Sequence, residues 1–412
     1  MESMFTRSYI RFYSSLRPRL HLTNKSLAVL ILFLLYNAIV YRNCRTRTNL
    51  NLNLQLGRWD VQHKYKLFDN ILIGDKYVLL NYQYKTCLAT QGSIERLYSL
   101  IEMSEHWSGP ISLATFADSE ETLNSLLLYI FYLRNCHKQI KEKVNFHLIL
   151  AKKKIPQKYS IHLEKLGYLH CGNSTEALKI IRRNFANTST IFKSKQLYPQ
   201  NHLRNLARKN CQSDYVFLTD IDIIPCKGMS EDLNTFLAKE RCQGKCAYVV
   251  AAYELDDKVT FPQNKSVLVK MAKKGLARPF HQKVYSLNQK ATDFKRWQNT
   301  KDKSTKVQVS HQVNRKFLRF YEPFYIASDV VPQHDERFIG YGYTRNSQVH
   351  EMVAAGYKFL VLSPIFICHW GLQNFSSRPR WREIETKMNE QKWRKFVKEI
   401  SVKYPIKKKK GN

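Results

Sequence analysis

Apolar and polar residues change their spacing several times along the chain, and the changes divide it. Residues 26–41 (SLAVLILFLLYNAIVY) carry no charge, and Arg7, Arg11, Arg17, Arg19 and Lys25 precede them against Glu2 alone. A spanning helix needs about 20 apolar residues, so this run reads as a short, uncleaved signal anchor with its basic side cytosolic. A cleaved signal peptide would end in a small-residue site, and a buried core helix would show a polar face; the run has neither. Arg42, Arg45 and Arg47 follow and reduce the charge asymmetry. The polar stretch 42–75, with Asn-Leu alternation over 49–54, reads as a stem. Beyond it the texture becomes strands separated by helix-length segments. The spacing predicts strands over 111–116, 144–150, 215–219 and 246–252. It predicts helices over 120–133 (capped by Asp118 or Ser119) and 198–209, and late apolar segments over 359–362 and 365–368. Such alternation predicts βαβ units, hence an α/β domain over 76–400 with a mostly parallel sheet. Residues 1–25 then form a basic cytosolic tail and 401–412 a basic C-terminal tail.

Composition adds a sign. Lys and Arg number 67 against 33 Asp and Glu, a formal charge of +34, while 44% of residues are hydrophobic. The apolar fraction excludes a disordered polyampholyte, and the charge calls for acidic partners such as nucleic acid, anionic lipid, acidic glycan or phosphorylated ligands. Nucleic acid falls away, because the basic residues are scattered and no helix-turn-helix or zinc-finger spacing occurs. A lumenal body behind the anchor agrees with sequons at Asn173, Asn187, Asn264 and Asn374. It also agrees with nine cysteines, whose odd count leaves at least one unpaired, Cys44 being the expected one. Cys242 and Cys246 lack a second pair, which argues against zinc, and the pairings stay open.

Ligands of open α/β sheets sit outside the carboxyl ends of the strands. There the sequence runs from Asp214 through YVFLT into Asp220-Ile221-Asp222. Two carboxylates spaced i, i+2 suit a hard cation that bridges phosphates, and equally suit turn chemistry. His369 ends another apolar segment and is either a third metal ligand or a satisfied structural histidine. A third cluster joins Tyr321-Glu322-Pro323-Phe324-Tyr325 to Asp335-Glu336-Arg337-Phe338-Ile339-Gly340-Tyr341-Gly342. Its glycines permit close approach to a ligand and its aromatic rings suit sugar faces.

These motifs in this order, with Thr86–Leu97 (TCLATQGSIERL) and Tyr198–Ala207 (YPQNHLRNLA), resemble glycosyltransferase family 49. The resemblance implies a GT-A type nucleotide-diphospho-sugar transferase fold and a single-pass type II Golgi membrane enzyme. It implies a UDP-sugar donor, most simply UDP-glucuronate, a glycan or glycoprotein acceptor, and Mn²⁺. It carries Asp220, Asp222 and His369 over as metal and diphosphate ligands and Asn201, Arg204 and Asn205 as nucleotide-pocket residues. Inversion at the anomeric carbon requires a base. Many GT-A enzymes place it in a Glu-Asp pair after the glycine loop, where this chain reads Tyr343-Thr344-Arg345-Asn346-Ser347. Asp335 and Glu336 are then the nearest candidates. Transfer of N-acetylglucosamine or xylose, and an inactive lumenal glycan-binding protein, remain as alternatives.

Overall fold

The computed structural model describes residues 49–152, 158–162, 170–185, 197–240, 242–302, 306–375, 379 and 381–405. The expected basic tail, signal anchor, Cys44, the Asn187 sequon and residues 406–412 lie outside these. Contacts divide the chain into a small unit, 1–50 with 162–164, and a large one, 51–161 with 165–412. The sheet and the site both belong to the large unit.

Twelve strands of that unit form one sheet. In chain order they are β1 (Arg58–Trp59), β2 (Tyr65–Leu72), β3 (Thr86–Gly92), β4 (Ile111–Ala117), β5 (Val144–Ala151) and β6 (Tyr215–Leu218). There follow β7 (Ile223–Pro225), β8 (Cys246–Leu255), β9 (Ala277–Pro279), β10 (Gln308–Gln312), β11 (Phe324–Ser328) and β12 (Lys358–Trp370). The spatial order is β10-β12-β8-β11-β6-β3-β4-β5-β2-β1, with β9 on β8 and β7 on β12. Strands β5, β4, β3 and β6 are mutually parallel. Every residue of β3, β4 and β5 is buried, as expected where helices cover both faces. Strand β11 interrupts the pattern, antiparallel to both β6 and β8. The sheet is therefore mixed, and β8 and β12 run parallel beyond the reversed strand.

Helix α1 (Glu120–Cys136) opens on Ser119, whose side chain accepts the Thr122 amide at 3.1 Å. A cap of this kind contributes about 1 kcal/mol. Helices α2 (Gln200–Lys209), α3 (Thr344–Ala354) and α4 (Trp381–Lys403) surround the site. The late apolar segments form one strand. As β8 advances from Val249 to Ala251, β12 advances from Val361 to Phe366, so β12 bulges between them.

The expected stem boundary at residue 75 is too late. Tyr65, Leu67 and Phe68 are buried, and β2 pairs with β5 as part of the sheet. Mixed polar composition masks this strand, because only part of it faces the core. Among the described residues there are three disulfides: Cys87–Cys211, Cys136–Cys171 and Cys242–Cys246. Cys226 and Cys368 are free and buried. Cys87–Cys211 ties the start of β3 to the end of α2 across 124 residues; closing a loop that long stabilises by about 4–5 kcal/mol in the chain-entropy account.

Candidate active site

Asp220, Ile221 and Asp222 form the turn between β6 and β7, which the Ile223 amide closes by donating to the Asp220 carbonyl at 3.0 Å. Ile221 between them is buried against the end of β3, where a Cβ on Gly92 would come within 2.9 Å of the Ile221 side chain. Only glycine allows that approach. The chain then enters β7, which pairs with β12 so that Ile223 faces His369. That register sets His369 Nε2 3.5 Å from Asp222 Oδ2. Two segments almost 150 residues apart thus meet through three residues of β7.

The two carboxylates have different surroundings. Asp220 is held from several sides: Arg345 Nη2 donates to Oδ2 at 2.8 Å, and Arg204 Nη2 and Gln91 Nε2 donate to Oδ1 at 3.3 and 3.2 Å. Gln91 in turn accepts the Tyr198 hydroxyl at 2.6 Å. Burial pushes the Asp220 carboxyl up, but Arg345 and Arg204 outweigh it and hold the group well below the usual carboxylate range. Burial likewise raises Asp222, and the hydrogen bond and charge of His369, with Arg96 beyond, bring it below the ordinary value. Arg96, half exposed, contacts Asp222 directly.

Asp222 and His369 offer one carboxylate and one imidazole side by side, a donor set that suits Mn²⁺. Asp220 stands beside that pair with both its oxygens hydrogen-bonded to guanidinium or amide groups. Among the described residues no three His, Cys, Asp or Glu side chains gather as a cation cage.

Of the three expected pocket residues on α2, Arg204 reaches the acid pair. Asn201 donates to the Asp335 carbonyl at 2.9 Å, and Asn205 donates to the His334 carbonyl at 2.8 Å and to Glu336 at 3.0 Å. Both asparagines therefore tie α2 to the 334–336 loop. Asp335 chelates Arg337, at 3.0 Å to Nε and 2.5 Å to Nη2, and Glu336 lies 3.5 Å from His202. Both acids border a cavity of about 670 Å³ whose lining includes none of Asp220, Asp222 and His369.

The sequence left several neighbours without a role. Arg345 stands where an acid was sought; its guanidinium also lies 4.5 Å over the Phe324 ring. Glu254 is fully buried opposite His369 in the sheet and accepts from Arg278, the His281 amide and the Gln373 amide. It braces the segments on either side of His369. Burial pulls the His281 imidazole down to about 4, which keeps it neutral beside these cations. Glu322, inside the quoted aromatic motif, lies within electrostatic reach of Arg345, Arg204 and Asp220.

The chain is similar to known glycosyltransferases. The family described as glycosyl-transferase for dystroglycan matches residues 85–405. Beta-1,4-glucuronyltransferase 1 of Danio rerio is 30% identical over 372 residues, 87% of this chain and 84% of that protein. Xylosyl- and glucuronyltransferase LARGE2s of Gallus gallus is 28% identical over 310 residues, 75% of this chain but 34% of that protein. Likeness to solved structures is loose: a crystal structure of GalNAc-T7 with UDP, GalNAc and Mn²⁺ aligns with TM-score 0.37 and 9% identity, over 80% of this chain and 53% of that one. With most of its length matched and both acidic motifs inside the match, the chain belongs to glycosyltransferase family 49, and its activity is glycosyl transfer.

Proposed function

We propose that the protein is an inverting transferase that moves glucuronate from UDP-glucuronate to a glycan acceptor, with Mn²⁺, in the Golgi lumen. The observation that carries the reading is the pairing of Asp222 with His369 at 3.5 Å, beside an Asp220 locked by two arginines. Asp222 and His369 would hold the cation, with Arg96 at its edge. Bound there, Mn²⁺ supplies positive charge that stabilises the departing diphosphate. Arg204 and Arg345 fix Asp220 and carry charge next to it, so the cleft is polarised before donor arrives and little reorganisation is needed during reaction. The glucuronate donor follows from the relatives named as glucuronyltransferases. Three disulfides and exposed sequon asparagines 173, 264 and 374 support a lumenal body. At Asn173 and Asn264 the side-chain oxygen caps a helix by accepting a backbone amide, a bond that does not use the nitrogen a glycan would take.

The test is UDP release by the purified full chain. The assay presents UDP-glucuronate, UDP-xylose and UDP-N-acetylglucosamine with a panel of aryl β-glycosides that includes β-xyloside, in Mn²⁺ or in chelator. Mn²⁺-dependent release from UDP-glucuronate alone supports the proposal. Preference for another donor overturns the choice of sugar, and equal release in chelator overturns the role of the metal.

A further inference from the structure

Nearly every carboxylate around the cleft is committed. Asp220 is taken by Arg345, Arg204 and Gln91, and Asp222 by His369 and Arg96. Glu254 is saturated by Arg278 and two backbone amides. Glu322 differs. Among the described residues its carboxylate receives one hydrogen bond, from Asn288 Nδ2 at 3.5 Å, the outer limit of such a contact.

Its position is nonetheless fixed. The Glu322 amide donates to the Asn288 carbonyl at 2.8 Å, and Gln289 Nε2 donates to the Glu322 carbonyl at 2.7 Å. Tyr321 before it is fully buried with its hydroxyl on Thr292 at 2.9 Å, and Pro323 follows. The side chain is enclosed by protein yet only partly shielded from solvent, as at the floor of a cleft. The charged groups that act on it sit on three segments: Arg345 of α3, Arg204 of α2 and Asp220 after β6. Asn288 meanwhile is held by His281 at 2.8 Å. Burial raises the Glu322 carboxyl above the ordinary value, an effect that Arg345, the Asn288 bond and Arg204 oppose and Asp220 reinforces. A carboxylate of raised proton affinity is the better general base.

We propose that Glu322 is the catalytic base. As the acceptor oxygen bonds to C1 of the sugar, the C1–oxygen bond to the diphosphate breaks and its electron pair leaves on UDP. The hydroxyl proton passes to the Glu322 carboxylate. This assignment rests on the glycosyl-transfer reading and releases Asp335 and Glu336 from that role.

The experiment uses the full chain with Mn²⁺, UDP-glucuronate and the aryl β-xyloside. Glu322→Gln keeps the shape and removes the basic oxygen, so transfer falls at least about 100-fold, while UDP affinity by calorimetry stays within about 3-fold, less than about 0.7 kcal/mol. The wild-type rate falls with decreasing pH along an acid limb that the residual Glu322→Gln rate lacks. Transfer above a tenth of the wild-type rate in Glu322→Gln overturns the assignment alone. Should Glu322→Gln lose UDP binding, Glu322→Asp decides: slowed transfer with a displaced acid limb upholds the base, and an unchanged profile overturns it. No transfer by the unmodified protein with any donor and acceptor overturns both the base and the transferase reading.

Discussion

Two acid pairs, Asp220 with Asp222 and Asp335 with Glu336, look alike in the sequence and differ in the fold. Each follows an apolar strand, and each lies close to a glycine that the packing requires. The first pair lies in the turn after β6, among guanidinium and imidazole groups. The second is absorbed into scaffolding. Asp335 grips Arg337, which bridges on to Glu399 of α4 at 2.6 Å. Glu336 meets Asn205 and His202 of α2, and the backbone around both acids accepts the α2 asparagines. A carboxylate's work is thus set by the partners that topology delivers, and local motif does not reveal them.

The contrast is broken most directly by exchanging the charges. Asp222→Asn removes the anionic half of the Asp222–His369 pair, so Mn²⁺-dependent UDP binding and transfer are expected to fall about 1000-fold, as for loss of a principal electrostatic group. Calorimetry of UDP with Mn²⁺ checks this. Asp335→Asn is expected to keep the turnover number within about 3-fold and to lower stability by about 1–2 kcal/mol. That is a discounted figure for an ion pair whose arginine is 40% exposed. A turnover loss in Asp335→Asn as large as in Asp222→Asn would erase the distinction between the pairs.

Arg345→Met comes next. It removes the 2.8 Å contact to Asp220 and the charge over Phe324, leaving Arg204 as the remaining guanidinium on Asp220. Transfer is expected to drop about 30- to 100-fold, the effect of one charge-assisted contact in a shielded site. UDP release kinetics at saturating donor measure it. A smaller effect follows from Asn389 on α4, which is fully buried and donates at 3.0 Å to the carbonyls of Ile339, Tyr341 and Gly342. Gly342 has φ +88°, and a Cβ there would come within 2.8 Å of Thr386 on the same helix. Helix α4 therefore grips the glycine turn that leads into Arg345. Asn389→Ala is expected to lose about 1–3 kcal/mol by thermal unfolding, since it orphans buried carbonyls.

These contacts mark what the sequence could disclose. Strands β4, β5, β6 and β8 were legible because they are almost wholly buried and read as apolar-rich runs. The Asp220-Ile221-Asp222 motif and His369 were legible as strand-end polar residues, and the β7–β12 register brings Asp222 and His369 together. The reversed strand β11 was not legible as such, because direction within a sheet leaves no trace in composition. Strand β2 hid within a polar stretch. Arg345 was passed over because the search at its position was for an acid, and Glu322 because its five-residue motif looked aromatic rather than acidic. Both become visible only when segments some 100 residues from Asp220 close over it. The three α2 residues share one helix, yet Arg204 goes to the cleft and Asn201 and Asn205 to the neighbouring loop.

The last comparison sets a histidine of the cleft against one of the sheet. His369 lies beside Asp222 at the rim, whereas His147 of β5 is fully buried. The Asn70 amide donates to His147 Nδ1 at 2.9 Å. Ser112 Oγ donates to the Ala207 carbonyl at 2.6 Å, so His147 Nε2, 2.9 Å away, must be the donor to that hydroxyl. Both ring nitrogens are thereby fixed in the neutral form, and a second proton would face an amide N–H. Burial accordingly pulls the imidazole down to about 3, against a modest opposing pull from Asp69. Above the ordinary value of about 6.5 both folded and unfolded states leave this group neutral, and it gives stability no pH dependence. As pH falls from there toward 3, the unfolded chain takes up a proton that the folded one refuses, so stability declines across that window. Between pH 6.5 and 5.5 the expected loss attributable to His147 is about 1 kcal/mol. Denaturant unfolding of wild type and His147→Gln at the two pH values measures it, because glutamine cannot titrate. An identical pH dependence in the two proteins would mean that the buried ring accepts its proton, and that the sheet is less closed to charge than its hydrogen bonds require.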